Sequence, residues 1–201
     1  AGNNNIFERC VFEANRDTGL QLSRYDTTAA TKDLWPSNNL IINCTAFNNC
    51  DFPEQGGTGE NADGFAAKLT CGEGNVFDGC ISYCNSDDGW DLYAKTATGP
   101  IGVVTIRNCV AFANGTLTNG THYANGDMNG FKLGGSGVVH HIMYLIVCHL
   151  IMEQQDLQIT IIHQHLHLLI LQHGVMERMP KRAISYATEL VQGPNIQALF
   201  Q

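Results

Sequence analysis

The chain has 201 residues, of which 15% are charged, with 21 Gly, 8 Cys and a formal net charge of -8. That length allows one domain with a sizeable core. The acidic balance disfavours nucleic acid and anionic membrane as partners, and it permits a cation, or an acidic substrate approached through one.

The opening stretch, "AGNNNIFERC", is polar and carries no basic-then-apolar leader. No window of about 20 apolar residues suggests a membrane span. The chain starts inside a repeating pattern and is expected to be a fragment of a longer repeat array.

The pattern is anchored on Cys10, Cys44, Cys80 and Cys109, in "CVFEAN", "CTAFNN", "CISYCN" and "CVAFAN". Each phrase ends in Asn (Asn15, Asn49, Asn85, Asn114), and three hold an aromatic at the fourth position, Phe47, Tyr83 and Phe112. A second phrase follows downstream: "TGLQLS", "DGFAAK", "DGWDLY", "NGFKLG". Gly is succeeded there by apolar, outward and apolar residues, the period-2 signature of a short strand with one buried face. The outward position holds Gln21, Ala66, Asp91 and Lys132 in turn.

Anchor spacings of 34, 36 and 29 residues, with Gly/Asn/Thr-rich connections, describe an all-β parallel β-helix. Its coils stack at about 4.8 Å, so equivalent outward side chains are immediate neighbours. Asn at the turns fits, because stacked amides satisfy one another and the turn backbone. Leucine-rich-repeat and propeller phrases are absent. Eight Cys could also signal disulfides or zinc. With no CxxC pair, and four of the eight at one repeat position, small apolar thiols stacked in the core are the preferred reading.

Asp63 and Asp88 each precede the Gly of their phrase, so they occupy one register on neighbouring coils. Asp87 precedes Asp88, and Asp91 is the outward residue three further on. Such a set could simply cap polar turns. Four hard carboxylates converging from two coils also suit Ca²⁺, which takes six to eight oxygens in flexible geometry. Zn²⁺ would call for Cys or His, and these phrases offer none at that place. Lys132 occupies the outward position that Asp91 holds one phrase earlier. A surface Lys is commonly only solubilising, but beside a bound cation its amine is discouraged from carrying charge and becomes a candidate general base. Acids, calcium and an amine suit β-elimination on a uronate polymer: Lys132 takes the C5 proton, and the glycosidic oxygen at C4 leaves.

The stretches "TGLQLSRY", "ENADGFAAKLTCGEGNVFDGCISYCNSDDGWDLYAK", "GPIGVVTIRNCVAFANG" and "NGFKLGGSG" resemble the pectate lyases of polysaccharide lyase family 9. The resemblance implies a secreted, calcium-dependent, right-handed parallel β-helix that cleaves polygalacturonate. It carries the calcium ligands to Asp63, Asp87, Asp88 and Asp91, and the catalytic lysine to Lys132. A monomer is expected. It covers residues 1–138, read as a β-helix fragment.

Residues 139–201 have another texture. Seven of the 8 His fall between Val139 and His173, and Gly nearly vanishes. His163, His165 and His167 could line a metal-binding strand face, or the segment could be a half-exposed strand. A third reading is preferred. Permitted codons for "LIVCHLIM" (Leu145 to Met152), CTA ATT GTC TGT CAT TTA ATA ATG, read two bases later as "NCLSFNN", beside "NCTAFNN" in this chain. The tail is therefore expected to come from a shifted frame and not to complete the solenoid.

Two other functions fit less well. A β-helix polygalacturonase would hydrolyse with paired carboxylates but needs His and Arg/Lys motifs that are missing. A non-catalytic, calcium-stabilised carbohydrate-binding β-helix would make Lys132 dispensable.

Overall fold

The structure, a computed structural model, describes residues 2–138 apart from 25, 54 and 55, and beyond them three short strands. Each coil contributes three strands. The first coil has β1 (Ile6–Glu8), β2 (Val11–Glu13) and β3 (Leu20–Gln21); the second has β4 (Leu40–Ile42), β5 (Thr45–Phe47) and β6 (Phe65–Ala66). The third has β7 (Asn75–Asp78), β8 (Ile81–Tyr83) and β9 (Trp90–Asp91); the fourth has β10 (Val104–Arg107), β11 (Val110–Phe112) and β12 (Phe131–Lys132). The further strands are β13 (Met143–Ile146), β14 (Ile159–Thr160) and β15 (His167–Ile170).

Every pairing between these strands is parallel and joins successive coils. Three sheets result, in the orders β1-β4-β7-β10-β13-β15, β2-β5-β8-β11 and β3-β6-β9-β12-β14. This is the all-β parallel solenoid that the repeat implies. Lys32–Leu34 forms a 3₁₀ turn, and among the described residues no helix is long and apolar enough to cross a membrane. The shifted-frame reading of residues 139–201 lies outside the described residues, apart from the backbone of β13, β14 and β15.

The corners are single residues in the left-handed region. Arg9, Asn43 and Asn108 have φ of 54°, 52° and 54° before the first-to-second-sheet Cys, and Ala14, Asn48 and Ala113 repeat the device five residues later at 53°, 56° and 53°. That conformation is strained for a residue with a Cβ. Inter-coil hydrogen bonds offset it, as in Arg9 N–H to Ile42 O at 3.0 Å and Asn43 N–H to Asp78 O at 2.8 Å.

Inside, the repeat stacks like on like. Cys44, Cys80 and Cys109 are buried free thiols stacked on successive coils, so the apolar-thiol reading describes the core there. Phe65, Trp90 and Phe131 form a ladder with ring centroids 5.0 and 4.8 Å apart. Outside the second sheet, Phe47, Tyr83 and Phe112 stack at 4.9 Å. Asn15, Asn49, Asn85 and Asn114 pass side-chain hydrogen bonds from coil to coil at 2.8, 2.8 and 3.0 Å. A second amide ladder, Asn5–Asn39–Asn75, runs along the start of the first sheet at 2.9 Å per step.

Candidate active site on the third sheet

Two registered columns build the site. Along the third sheet, Phe65 faces Trp90 and Trp90 faces Phe131, so the aromatics point inward as one stack. Alternation then sets Gln21, Ala66, Asp91 and Lys132 outward in a second column, in register. The Gly before each aromatic lets the coils approach closely. A Cβ at Gly64 would meet Ser82 Oγ at 1.8 Å, and one at Gly89 would meet Gly130 O at 2.5 Å. That tight step fixes the residue before it. Gly64 N–H donates to Asp88 O at 2.9 Å, Gly19 N–H donates to Asp63 O at 2.9 Å, and Gly89 N–H donates to Asn129 O at 2.8 Å. Thr18, Asp63, Asp88 and Asn129 thus form the other column.

Asp63, Asp87, Asp88 and Asp91 are all buried, at 0%, 2%, 0% and 3% exposure. Neighbours hold each one. Thr18 Oγ1 donates to Asp63 Oδ2 at 3.3 Å, and the Asp88 amide donates to Asp63 Oδ1 at 3.3 Å. Asn129 donates twice to Asp88 Oδ1, from its amide at 2.8 Å and from Nδ2 at 2.9 Å. Asp91 Oδ1 accepts from the Tyr93 amide at 2.8 Å, and Asp87 Oδ1 accepts from the Asp127 amide at 2.5 Å.

The carboxylates fall into two overlapping groups. Asp63, Asp88 and Asp91 bring one oxygen each within 4.8 Å of one another, and so do Asp87, Asp88 and Asp127. Asp88 belongs to both. The four aspartates singled out from the sequence therefore gather around Asp88 rather than into one four-membered ring.

Two lysines cross-link them. Lys132 Nζ lies 3.2 Å from Asp88 Oδ2 and 2.6 Å from Asp127 Oδ2. It also stands 5.7 Å from the Tyr93 ring centroid, whose hydroxyl is 2.6 Å from Ser136 Oγ. Lys68 Nζ lies 2.7 Å from Asp63 Oδ2 and 2.9 Å from Asp91 Oδ2, with its side chain 13% exposed.

Sequence reasoning missed Lys68 and Asp127. The alternation that turns Ala66 to the outer side of the strand also turns the residue two further on that way, so extending the outward column would have reached Lys68. Asp127 sits in the loop before "NGFKLG", where no ladder fixes a register.

The electrostatics are those of a place short of positive charge. Burial and the charge of Asp91 push Asp63 well above the ordinary carboxylate range. Burial and Asp88 raise Asp87 to about 7, and burial, against the pull of Lys132, raises Asp88 to about 6. For Lys68, burial works to lower the pKa, but Asp63 and Asp91 outweigh it and the amine is held protonated. Lys132 is likewise raised: burial opposes, while Asp91, Asp88 and the bond to Asp127 prevail. All five groups shift toward holding a proton, which is what an excess of buried negative charge does.

The donor set suits a hard cation. It is oxygen only, with neither Cys nor His in either group. Asp88 Oδ2 is buried without a hydrogen-bond donor, its contact being the Lys132 ammonium. Residues Asp63, Asp87, Asp88 and Asp91 could hold calcium.

Comparison with known proteins agrees with this architecture. The family described as Pel9A-like, right handed beta helix region, matches residues 1–154. Over 143 residues, 71% of this chain, the sequence is 59% identical to pectate lyase L of Thermoclostridium stercorarium and 57% identical to pectate lyase L of Paenibacillus polymyxa. The crystal structure of pectate lyase Pel9A superposes with a TM-score of 0.56 at 39% identity, over 71% of this chain and 32% of that one. The chain spans 11% of the Thermoclostridium protein and 31% of the Paenibacillus protein. With its parallel three-sheet coils and its match over residues 1–154, the chain belongs to the Pel9A-like right-handed β-helix family.

Proposed function

We propose that these coils carry the active site of a secreted, calcium-dependent pectate lyase that cleaves polygalacturonate by β-elimination, with Lys132 as the base. The observation that carries the reading is one juxtaposition. Aspartates of the second and third coils meet a lysine of the fourth, whose Nζ is 3.2 Å from the central carboxylate, Asp88. The names of the relatives supply the substrate class.

Asp63, Asp87, Asp88 and Asp91 would hold the metal. Calcium, when bound, offsets carboxylate charge and draws electron density from a uronate carboxylate, which makes the C5 proton more acidic. Lys132 then needs a neutral amine. In the metal-free cluster its proton is retained by Asp91, Asp88 and Asp127, so neutralising those carboxylates favours the form that can accept one. Lys132 Nζ takes the C5 proton, the C5–H electron pair forms a 4,5 double bond, and the C4–O pair leaves on the glycosidic oxygen, which takes a proton from water to become the hydroxyl of the released chain. The Tyr93 ring beside Nζ limits the directions the amine can take.

The experiment is product identity. Elimination from polygalacturonate gives an ultraviolet-absorbing unsaturated product that calcium supports and a chelator abolishes. Reducing ends without that absorbance would mean hydrolysis.

A further inference from the structure

Lys68 has no part in the proton transfer, yet it makes the shorter of its two contacts, 2.7 Å, to one metal-site carboxylate and reaches a second at 2.9 Å. Its position follows from the fold. It is the last residue of "DGFAAK", five residues after Asp63, and leaves the second coil on the outer face of the third sheet. Asp91 is on the neighbouring third coil, so one ammonium ties two coils together. Equivalent residues on the other coils, Ser23, Tyr93 and Gly134, carry no charge.

Division of labour between the lysines is sharp. Of the group Asp63, Asp88 and Asp91, Lys68 holds Asp63 and Asp91, and Lys132 holds Asp88. Three buried carboxylates this close repel one another strongly, and an ammonium among them opposes that repulsion. A compact cation already occupies the carboxylates that a divalent cation needs.

We infer that Lys68 is a built-in substitute for the metal: it keeps Asp63 and Asp91 together when calcium is absent and competes with calcium for them when it arrives. The inference rests on the calcium reading above. Two consequences have opposite signs. Removing the Lys68 charge destabilises the metal-free protein, because buried carboxylates lose their counter-ion. The same removal tightens calcium binding, because the metal no longer meets a resident positive charge. A residue that merely packed or braced the ligands would weaken both.

The test compares wild type, Lys68→Met and Lys68→Arg in the full chain at pH 8 and fixed ionic strength. Thermal unfolding is followed with a chelator and again with calcium chloride, and the calcium dissociation constant is measured by titration calorimetry. The expected result for Lys68→Met is a lower melting temperature in chelator and a calcium Kd at least tenfold smaller than wild type. Lys68→Arg should stay near wild type in both. If Lys68→Met folds only with calcium, that supports the inference; if it folds in neither, Lys68→Gln carries the same two expectations. An unchanged or larger Kd in the neutral variant overturns the role of Lys68. A wild type that binds no calcium overturns the calcium reading itself, and with it the inference.

Discussion

Lys132 lies directly opposite Asp91 in the parallel register of the third sheet, yet its ammonium contacts Asp88 at 3.2 Å and Asp127 at 2.6 Å. The backbone thus places the amine over the carboxylate cluster, and an acid from a loop restrains it. Asp127 is 58% exposed in its side chain, so solvent screens that contact. Asp127→Asn removes one of the interactions that hold the Lys132 proton. If the neutral amine is the base, the rising limb of the lyase pH profile should move to lower pH by up to about 0.7 unit. A pH series of initial rates checks it, and a shift to higher pH would contradict it.

Calcium should stabilise as well as activate. A ligand that binds only the folded state adds about 2.7 kcal/mol at a hundredfold excess over its Kd. Asp88 belongs to both carboxylate groups, so Asp88→Ala should erase the rise in melting temperature that calcium gives wild type. A variant whose calcium response stays the same size would show that the cation binds elsewhere.

Without metal, stability should depend on pH in an unusual direction. Asp87 and Asp88 have folded pKa values raised to about 7 and about 6, above the ordinary 3.8. The folded state therefore holds more protons than the unfolded chain between about pH 4 and 7. The stability from these groups is full below about pH 4 and lost as pH rises through 7. Melting temperature in chelator should fall from pH 5 to pH 7.5, and saturating calcium should flatten that slope. A metal-free protein that grows more stable over the same range would contradict the cluster's charge state.

Gly89 joins the site to the core, between Asp88 and the buried Trp90. A Cβ there would lie 2.5 Å from Gly130 O, 2.8 Å from Asn114 Nδ2 and 2.9 Å from the Ala111 Cβ. Gly89→Ala should cost about 1–3 kcal/mol, seen as a lower denaturation midpoint, because coils cannot move apart at one rung alone. An unchanged midpoint would mean the coil step is looser than described.

Much of the site was legible because a solenoid turns sequence periodicity into adjacency. Two phrases that begin Asp-Gly-aromatic must put Asp63 and Asp88 on neighbouring rungs, and the same offset brings Asp91 opposite Lys132. What escaped lies off the ladder. Lys68 has Ser23, Tyr93 and Gly134 as its counterparts, so no column of like residues marks it. Asp127 comes from a loop whose length changes between coils. The corners hide for another reason. Arg9, Ala14 and Cys84 take positive φ with no turn propensity of their own, and what holds them is hydrogen bonding to a coil more than 30 residues away in some cases, as in Arg9 to Ile42. The Asn5–Asn39–Asn75 ladder fades in the sequence because Val104 takes its place on the fourth coil.

The central claim is that Lys132 removes the C5 proton, and Lys132→Arg tests it most directly. Arginine keeps the cation and the reach but does not give up a proton near neutrality. The measurement is the ultraviolet appearance of unsaturated product from polygalacturonate with calcium present, beside calcium binding by calorimetry. Loss of a general base predicts a fall in turnover of about 10²–10⁴-fold with calcium binding retained. Near-equal rates in wild type and Lys132→Arg would contradict the account, and would leave a lysine that only stacks beside the carboxylates.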